Sequence, residues 1–122
     1  MNDTASLWPD ELRLNAAKDT LTVRFTNGEQ HMLAAEYLRV ESPSAEVQGH
    51  GPGQRQTVSG KRQVKIAKVE PVGHYAVRLI FDDGHDTGIY SWRYLAELAH
   101  EQDEKWPAYL EELAIQGLKR GP

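Results

Sequence analysis

The sequence predicts an α+β domain: a small antiparallel β-sheet built from two meanders, with a short helix in the middle and two C-terminal helices. Three observations carry this. Leu21, Val23 and Phe25 alternate with Thr22, Arg24 and Thr26, the period of a half-buried strand, and Tyr75, Val77, Leu79 and Phe81 recur at every second position and so share one face of another. Asn27-Gly28 and Asp82-Asp83-Gly84 follow those strands as tight-turn signals. Near the C-terminal end the apolar spacing changes to three and four, with Tyr94, Leu95, Leu98 and Ala99 and then Tyr109, Leu110, Leu113 and Ala114.

Taken in order, residues 1–10 read as an arm, because Leu7-Trp8 alone is too little apolar surface to order it, although Trp8 could dock on the body. Leu12 and Leu14 alternate with polar neighbours, residues 16–19 read as a turn, and the strand over 21–25 is expected to pass through a two-residue hairpin at Asn27-Gly28 into a strand over 29–33. Residues 34–40 contain good helix formers that Pro43 prevents from continuing far. From 41 to 60 the composition shifts to Ser, Pro, Gly, Gln and His, an irregular stretch of a length that is usually functional or mobile. Strands are expected over 64–69 and 75–81, with a last short strand near 85–90. Ser91 is placed to cap a helix through about His100. Pro107 suits the first turn of a final helix that ends near Gly117. The expected organisation is one domain over 11–118 and a tail over 119–122.

At 122 residues one domain can hide roughly two-thirds of its unfolded surface. Apolar residues make up 39% and charged residues 26%, ordinary values for a folded chain. A net charge of -4 argues against a nucleic-acid binder, and the basic residues Arg55, Lys61, Arg62, Lys65 and Lys68 read as a solvated side. The absence of cysteine excludes disulfides, thiolate catalysis and cysteine-held zinc or iron–sulfur centres. No signal peptide or membrane-length apolar run is seen, so a cytoplasmic location with no membrane partner is expected.

No complete catalytic constellation can be assembled. His50, His74 and His85 sit in or beside expected turns, but a strand over 75–81 rising about 3.3 Å per residue puts His74 and His85 roughly 20 Å apart, too far to share an ion. His50 could approach either end, and Asp82, Asp83 or Asp86 could join His85. Asp82 and Asp83 are adjacent in a turn and should diverge, which suits turn chemistry better than paired acid–base work. Gly49-x-Gly51-x-Gly53 lacks the strand-to-helix context of a phosphate loop. Tyr90, Trp92, Tyr94 and Trp106 read chiefly as core, with Trp92 the member expected at the surface.

Five stretches together carry a resemblance: Tyr37-Leu38-Arg39; Ser42-Pro43-Ser44-Ala45-Glu46-Val47; Gly49-His50-Gly51-Pro52-Gly53; Val69-Glu70-Pro71-Val72-Gly73-His74-Tyr75-Ala76-Val77; and Asp83-Gly84-His85-Asp86-Thr87-Gly88-Ile89-Tyr90-Ser91-Trp92. From about Leu12 to Leu98 the chain resembles the domain of unknown function 971 family, also called the gamma-butyrobetaine hydroxylase-like N-terminal domain. The resemblance implies a domain that precedes an iron and 2-oxoglutarate catalytic domain in the hydroxylases and contributes to dimer contacts there. Elsewhere it stands alone in bacteria or is fused to ATPases carrying iron–sulfur clusters. In the hydroxylases the domain holds a structural zinc through three cysteines and a histidine. The resemblance lays those positions on Ser42, Ser44, Val47 and His85, so three of four ligands are missing and zinc is not expected. An iron facial triad on a double-stranded barrel has no home in so small a sheet.

The expected function is therefore a non-catalytic accessory domain that binds an unknown protein partner and carries no cofactor, with a homo-oligomer left open. Its candidate interaction surface comprises His50, Gly51, Pro52, Gln54, Asp83, His85 and Trp92. The alternative is a metal-handling or iron–sulfur-assembly accessory using His85 and His50.

Overall fold

The computed structural model describes residues 8–49, 53 and 55–121. Residues 1–7, His50, Gly51, Pro52, Gln54 and Pro122 lie outside the described residues, and with them most of the expected arm and four members of the expected interaction surface. Two three-stranded antiparallel sheets, each a meander, are followed in turn by helices. Sheet A comprises β1 (Pro9–Leu14), β2 (Thr20–Phe25) and β3 (Gln30–Ala34). It leads into α1 (Ala35–Val40) and α2 (Ala45–Gln48). Sheet B comprises β4 (Ile66–Val72), β5 (Ala76–Phe81) and β6 (Gly88–Ser91). It leads into α3 (Trp92–His100) and α4 (Gln102–Gln116).

The two meanders use the same turn. In the first, Phe25 N–H donates to Glu29 O (2.8 Å), Gly28 N–H to Phe25 O, and Glu29 N–H to Asn27 Oδ1. In the second, Phe81 N–H donates to His85 O (2.9 Å), Gly84 N–H to Phe81 O, and His85 N–H to Asp83 Oδ1. Gly28 (φ 93°) and Gly84 (φ 91°) occupy the left-handed position in each. The expected two-residue turn at Asn27-Gly28 is thus a three-residue turn closed by a left-handed glycine, a geometry that demands positive φ only at the glycine. Each meander also hands over to its helix alike: Ala35 N–H donates to Asp19 O, and Trp92 N–H to Tyr75 O.

Alternation along β2 and β5 drives Leu21, Val23 and Phe25 from one sheet, and Val77, Leu79 and Phe81 from the other, into a single core with Leu33, Tyr37, Leu38, Ile66, Tyr90, Leu95 and Leu98. Burial of these side chains supplies the main drive to fold, at about 1.5–3 kcal/mol for each large one. Ile66 N–H donates to Lys18 O and so ties the start of β4 to the β1–β2 turn of sheet A, while Asp82 N–H donates to Lys65 O and extends the pairing of β4 with β5.

Ser91 caps α3 by accepting Tyr94 N–H at 3.1 Å, as its position predicted. Two helical details depart from expectation. The stretch 41–60 contains α2, a single turn capped by Ser44, whose Oγ accepts Glu46 N–H. And α4 begins five residues before Pro107, so the proline lies inside the helix instead of in its first turn. There it leaves the Asp103 carbonyl without its helical donor, on the exposed side of the helix. Gly117 ends α4 in the left-handed conformation, with Leu118 N–H returning to Leu113 O. Beyond it, Lys119 and Arg120 carbonyls accept Gly60 and Arg62 N–H, so the segment assigned to a tail is held against the body. Among the described residues no helix is long and apolar enough to cross a membrane.

Candidate functional site

The second turn delivers His85 to the buried side of sheet B, where it meets the loop between α1 and α2. Ser42 Oγ lies 2.9 Å from His85 Nε2 and also accepts Ser44 N–H at 3.2 Å. Ser44 Oγ lies 2.8 Å from Thr87 Oγ1, which donates to Glu46 Oε1 at 3.0 Å. Glu46 Oε2 stands 3.3 Å from His85 Nδ1 without the alignment of a hydrogen bond. Val47 is buried on α2, and its N–H bonds back to Ser44 O. The strands and the short helix therefore bring Ser42, Ser44 and His85 into one polar network, with Val47 beside it. Thr87 and Glu46 complete that network. Both stand within motifs carrying the family resemblance, but their side-chain roles become apparent only once the loop is folded over the turn.

Electrostatics hold the turn from outside. Arg39 Nε–H donates to Asp83 Oδ2 at 2.9 Å, and Lys61 Nζ is 2.6 Å from the same oxygen. Burial raises the Asp83 carboxyl, but Lys61, the His85 N–H and Arg39 outweigh it and bring it to about 2. Burial lowers His85, and the Arg39 charge lowers it further, against the opposing pull of Glu46 and Asp83, so the imidazole favours its neutral form. Asp82 faces elsewhere and accepts Lys65 N–H, in keeping with the divergence expected of adjacent turn residues. Of the basic residues, Lys61, Arg55 and Lys68 are paired with Asp83, Glu41 and Glu70.

Ser42, His85 and Glu46 form the nearest approach to a nucleophile–base–carboxylate array. Ser42 is 0% exposed, however, and its oxygen is already committed to His85 and the Ser44 amide. Two open clefts border α4, one between Val40, Arg55, Val58 and Tyr109 and one between Glu36, Trp106 and Arg120, and neither is lined by Ser42 or His85. The zinc implied by the resemblance does not fit. Two of the corresponding positions are hydroxyls that remain protonated near neutral pH, the third is a valine without a donor atom, and the His85 Nε2 is engaged by Ser42. Hydrogen bonds and packing fasten this loop to the turn.

Tyrosines close the junction from the core side, Tyr90 and Tyr37 buried and Tyr94 partly so. Tyr90 Oη donates to Leu38 O at 2.5 Å and Tyr94 Oη to Glu41 O at 2.6 Å, serving carbonyls at the end of α1 that the helix leaves without partners. Tyr37 Oη does the same for Leu98 O near the end of α3. Gly88 passes so close that a Cβ there would lie 2.7 Å from Ser42 Oγ. Trp92 is partly buried and donates Nε1–H to His74 O at 2.8 Å; Tyr75 and Ile89 are the more exposed side chains of this region. His74 and His85 flank opposite ends of β5.

Residues 12–96, from β1 into α3, match the family model described as gamma-butyrobetaine hydroxylase-like, N-terminal. The chain belongs to the gamma-butyrobetaine hydroxylase-like N-terminal family. A protein solved in solution by NMR shares 49% identity with this family member over 93% of this chain and 90% of its own, with a TM-score of 0.81. A second NMR structure shares 44% identity over 100% and 92%, also at 0.81. A crystal structure from Acidithiobacillus ferrooxidans, described as a protein of unknown function in the domain of unknown function 971 family, shares 42% identity over 75% and 91%, with a TM-score of 0.63. No curated protein matches.

Proposed function

We propose that this chain is a non-catalytic accessory domain of the cytoplasm that works by binding a protein partner. The observation that carries the reading is the burial of Ser42 and His85. The array nearest in composition to a catalytic site among the described residues is closed to substrate and consumed by internal hydrogen bonds. A nucleophile must reach a reacting atom, and a hydroxyl with no exposed surface does not. Among the described residues His85 belongs to no cluster of three or more metal-ligating side chains, so it lends little support to a metal-handling role. On this reading function falls to the exterior of the domain near Asp83 and Trp92, and the sequence 49–54, which lies largely outside the described residues, is the segment to test.

Quantitative pull-down from a lysate of the native host tests this, using the tag-free chain coupled to resin and a variant with 49–54 replaced by Gly/Ser. The reading expects one protein captured saturably by the first and lost from the second, both chains giving the same folded circular dichroism spectrum. An unchanged partner set would remove the loop from the working surface. Turnover of a metabolite abolished by Ser42→Ala would overturn the non-catalytic reading itself.

A further inference from the structure

Away from this junction, the other turn builds a second cluster. Glu29 follows Gly28 in the first turn, His31 lies two residues on along β3 and so projects to the same face, and His100 is the last residue of α3. Glu29 and His100 are 71 residues apart in sequence, and only the packing of the hairpin against α3 joins them. Glu29 Oε1 stands 2.9 Å from His31 Nε2 and 2.7 Å from His100 Nε2. The two rings meet edge to face with centroids 5.5 Å apart, and Phe25 walls both, at 6.0 and 6.4 Å.

We propose that Glu29, His31 and His100 form a binding site for a divalent transition metal of the zinc type. The two nitrogens and a carboxylate oxygen all lie within 4.8 Å of one another. Tetrahedral coordination at about 2.0–2.1 Å separates its donors by roughly 3.3 Å, so small rotations that open the two N···O distances admit an ion. The donor set selects the metal: imidazole favours zinc, cobalt and nickel over magnesium and calcium, which prefer all-oxygen shells. One carboxylate and two neutral imidazoles leave a single positive charge with the ion.

The carboxylate is already oriented for this role. Asn27 Nδ2 donates to Glu29 Oε2 at 2.7 Å, its Oδ1 accepts Glu29 N–H, and Phe25 N–H holds the Glu29 carbonyl. Such outer contacts aim a metal-binding carboxylate. The three side chains are 22–28% exposed, so water can complete the coordination sphere. An ion held here would cross-link the first hairpin to α3, and because the donors converge only on folding, its binding would stabilise the native state.

Tag-free protein, stripped with chelator, is titrated with ZnCl2 by calorimetry and with CoCl2 by visible absorption. Long-range proton–nitrogen NMR follows the five histidines. The proposal expects one equivalent of zinc, cobalt bands stronger than those of the aqueous ion, and Nε2 shifts at His31 and His100 alone. It also expects Glu29→Gln and His100→Asn each to weaken zinc about tenfold or more, and His74→Asn to leave it unchanged. Absence of binding, zinc shifts at the other histidines, or indifference to Glu29→Gln would overturn it. Should His100→Asn fail to fold, the NMR titration of the unaltered chain decides.

Discussion

Ser42 and His85 meet across 43 residues of sequence, oxygen to Nε2 at 2.9 Å, inside the core of the domain. That contact joins the loop after α1 to the turn before β6, at the positions where the family resemblance would place zinc ligands. A hydrogen-bonded network built from Ser42, Ser44, Thr87, Glu46 and His85 stands there, and its stability consequences can be measured.

Gly88→Ala should cost about 1–3 kcal/mol, because the new Cβ would lie 2.7 Å from Ser42 Oγ and 3.0 Å from Tyr90 Cε1. Gly88 does not require positive φ, so the cost is steric and should fall when Ser42→Ala is added. Urea denaturation of the single and double variants checks this, and equal losses in both would refute the contact.

Tyr90→Phe and Tyr94→Phe should each destabilise by about 1–3 kcal/mol, since each leaves a carbonyl at the end of α1 without its donor. The Glu29 to His100 side of the molecule should be unaffected, so amide exchange should accelerate first in α1 and the 41–48 loop. Uniform acceleration across both sheets would contradict this.

Acid should act in two steps. The native His85 lies below its ordinary 6.5, so the unfolded chain binds this proton first; stability is full above pH 6.5 and falls as pH drops toward the lower native value. Asp83 falls from 3.8 to about 2 on folding, so its contribution is full above 3.8 and disappears as pH falls through about 2. Discounted for its partial exposure, that shift amounts to about 1–2 kcal/mol. Urea midpoints measured across pH should lose the first step in His85→Gln and show a smaller second step in Asp83→Asn, because Glu29, which its hydrogen bonds to His31 and His100 also bring to about 2, still titrates there. Retention of the first step in His85→Gln would assign it to another histidine.

The strands were readable because β2 alternates strictly and β5 carries Val77, Leu79 and Phe81 at every second position, and α3 because Ser91 precedes an apolar stripe. The single turn of α2 was not, since four residues among serine, proline and glycine carry no periodic signal and a cap bond from Ser44 decides them. Pro107 misled because the residues before it are also helical, with Trp106 packed against Tyr37, so α4 starts five residues ahead of a residue that usually opens a helix. At the junction, the family resemblance aligned Ser42 with His85, while local patterning could not. Glu29, His31 and His100 were invisible for the same reason: no local pattern links the end of α3 to the first turn.

A double-mutant cycle on Ser42→Ala and His85→Ala, followed by urea denaturation near neutral pH, tests most directly whether this pair fastens the fold. The account predicts that the two losses fail to add by about 1 kcal/mol or more, because either substitution alone already breaks the shared bond. Strict additivity would contradict it.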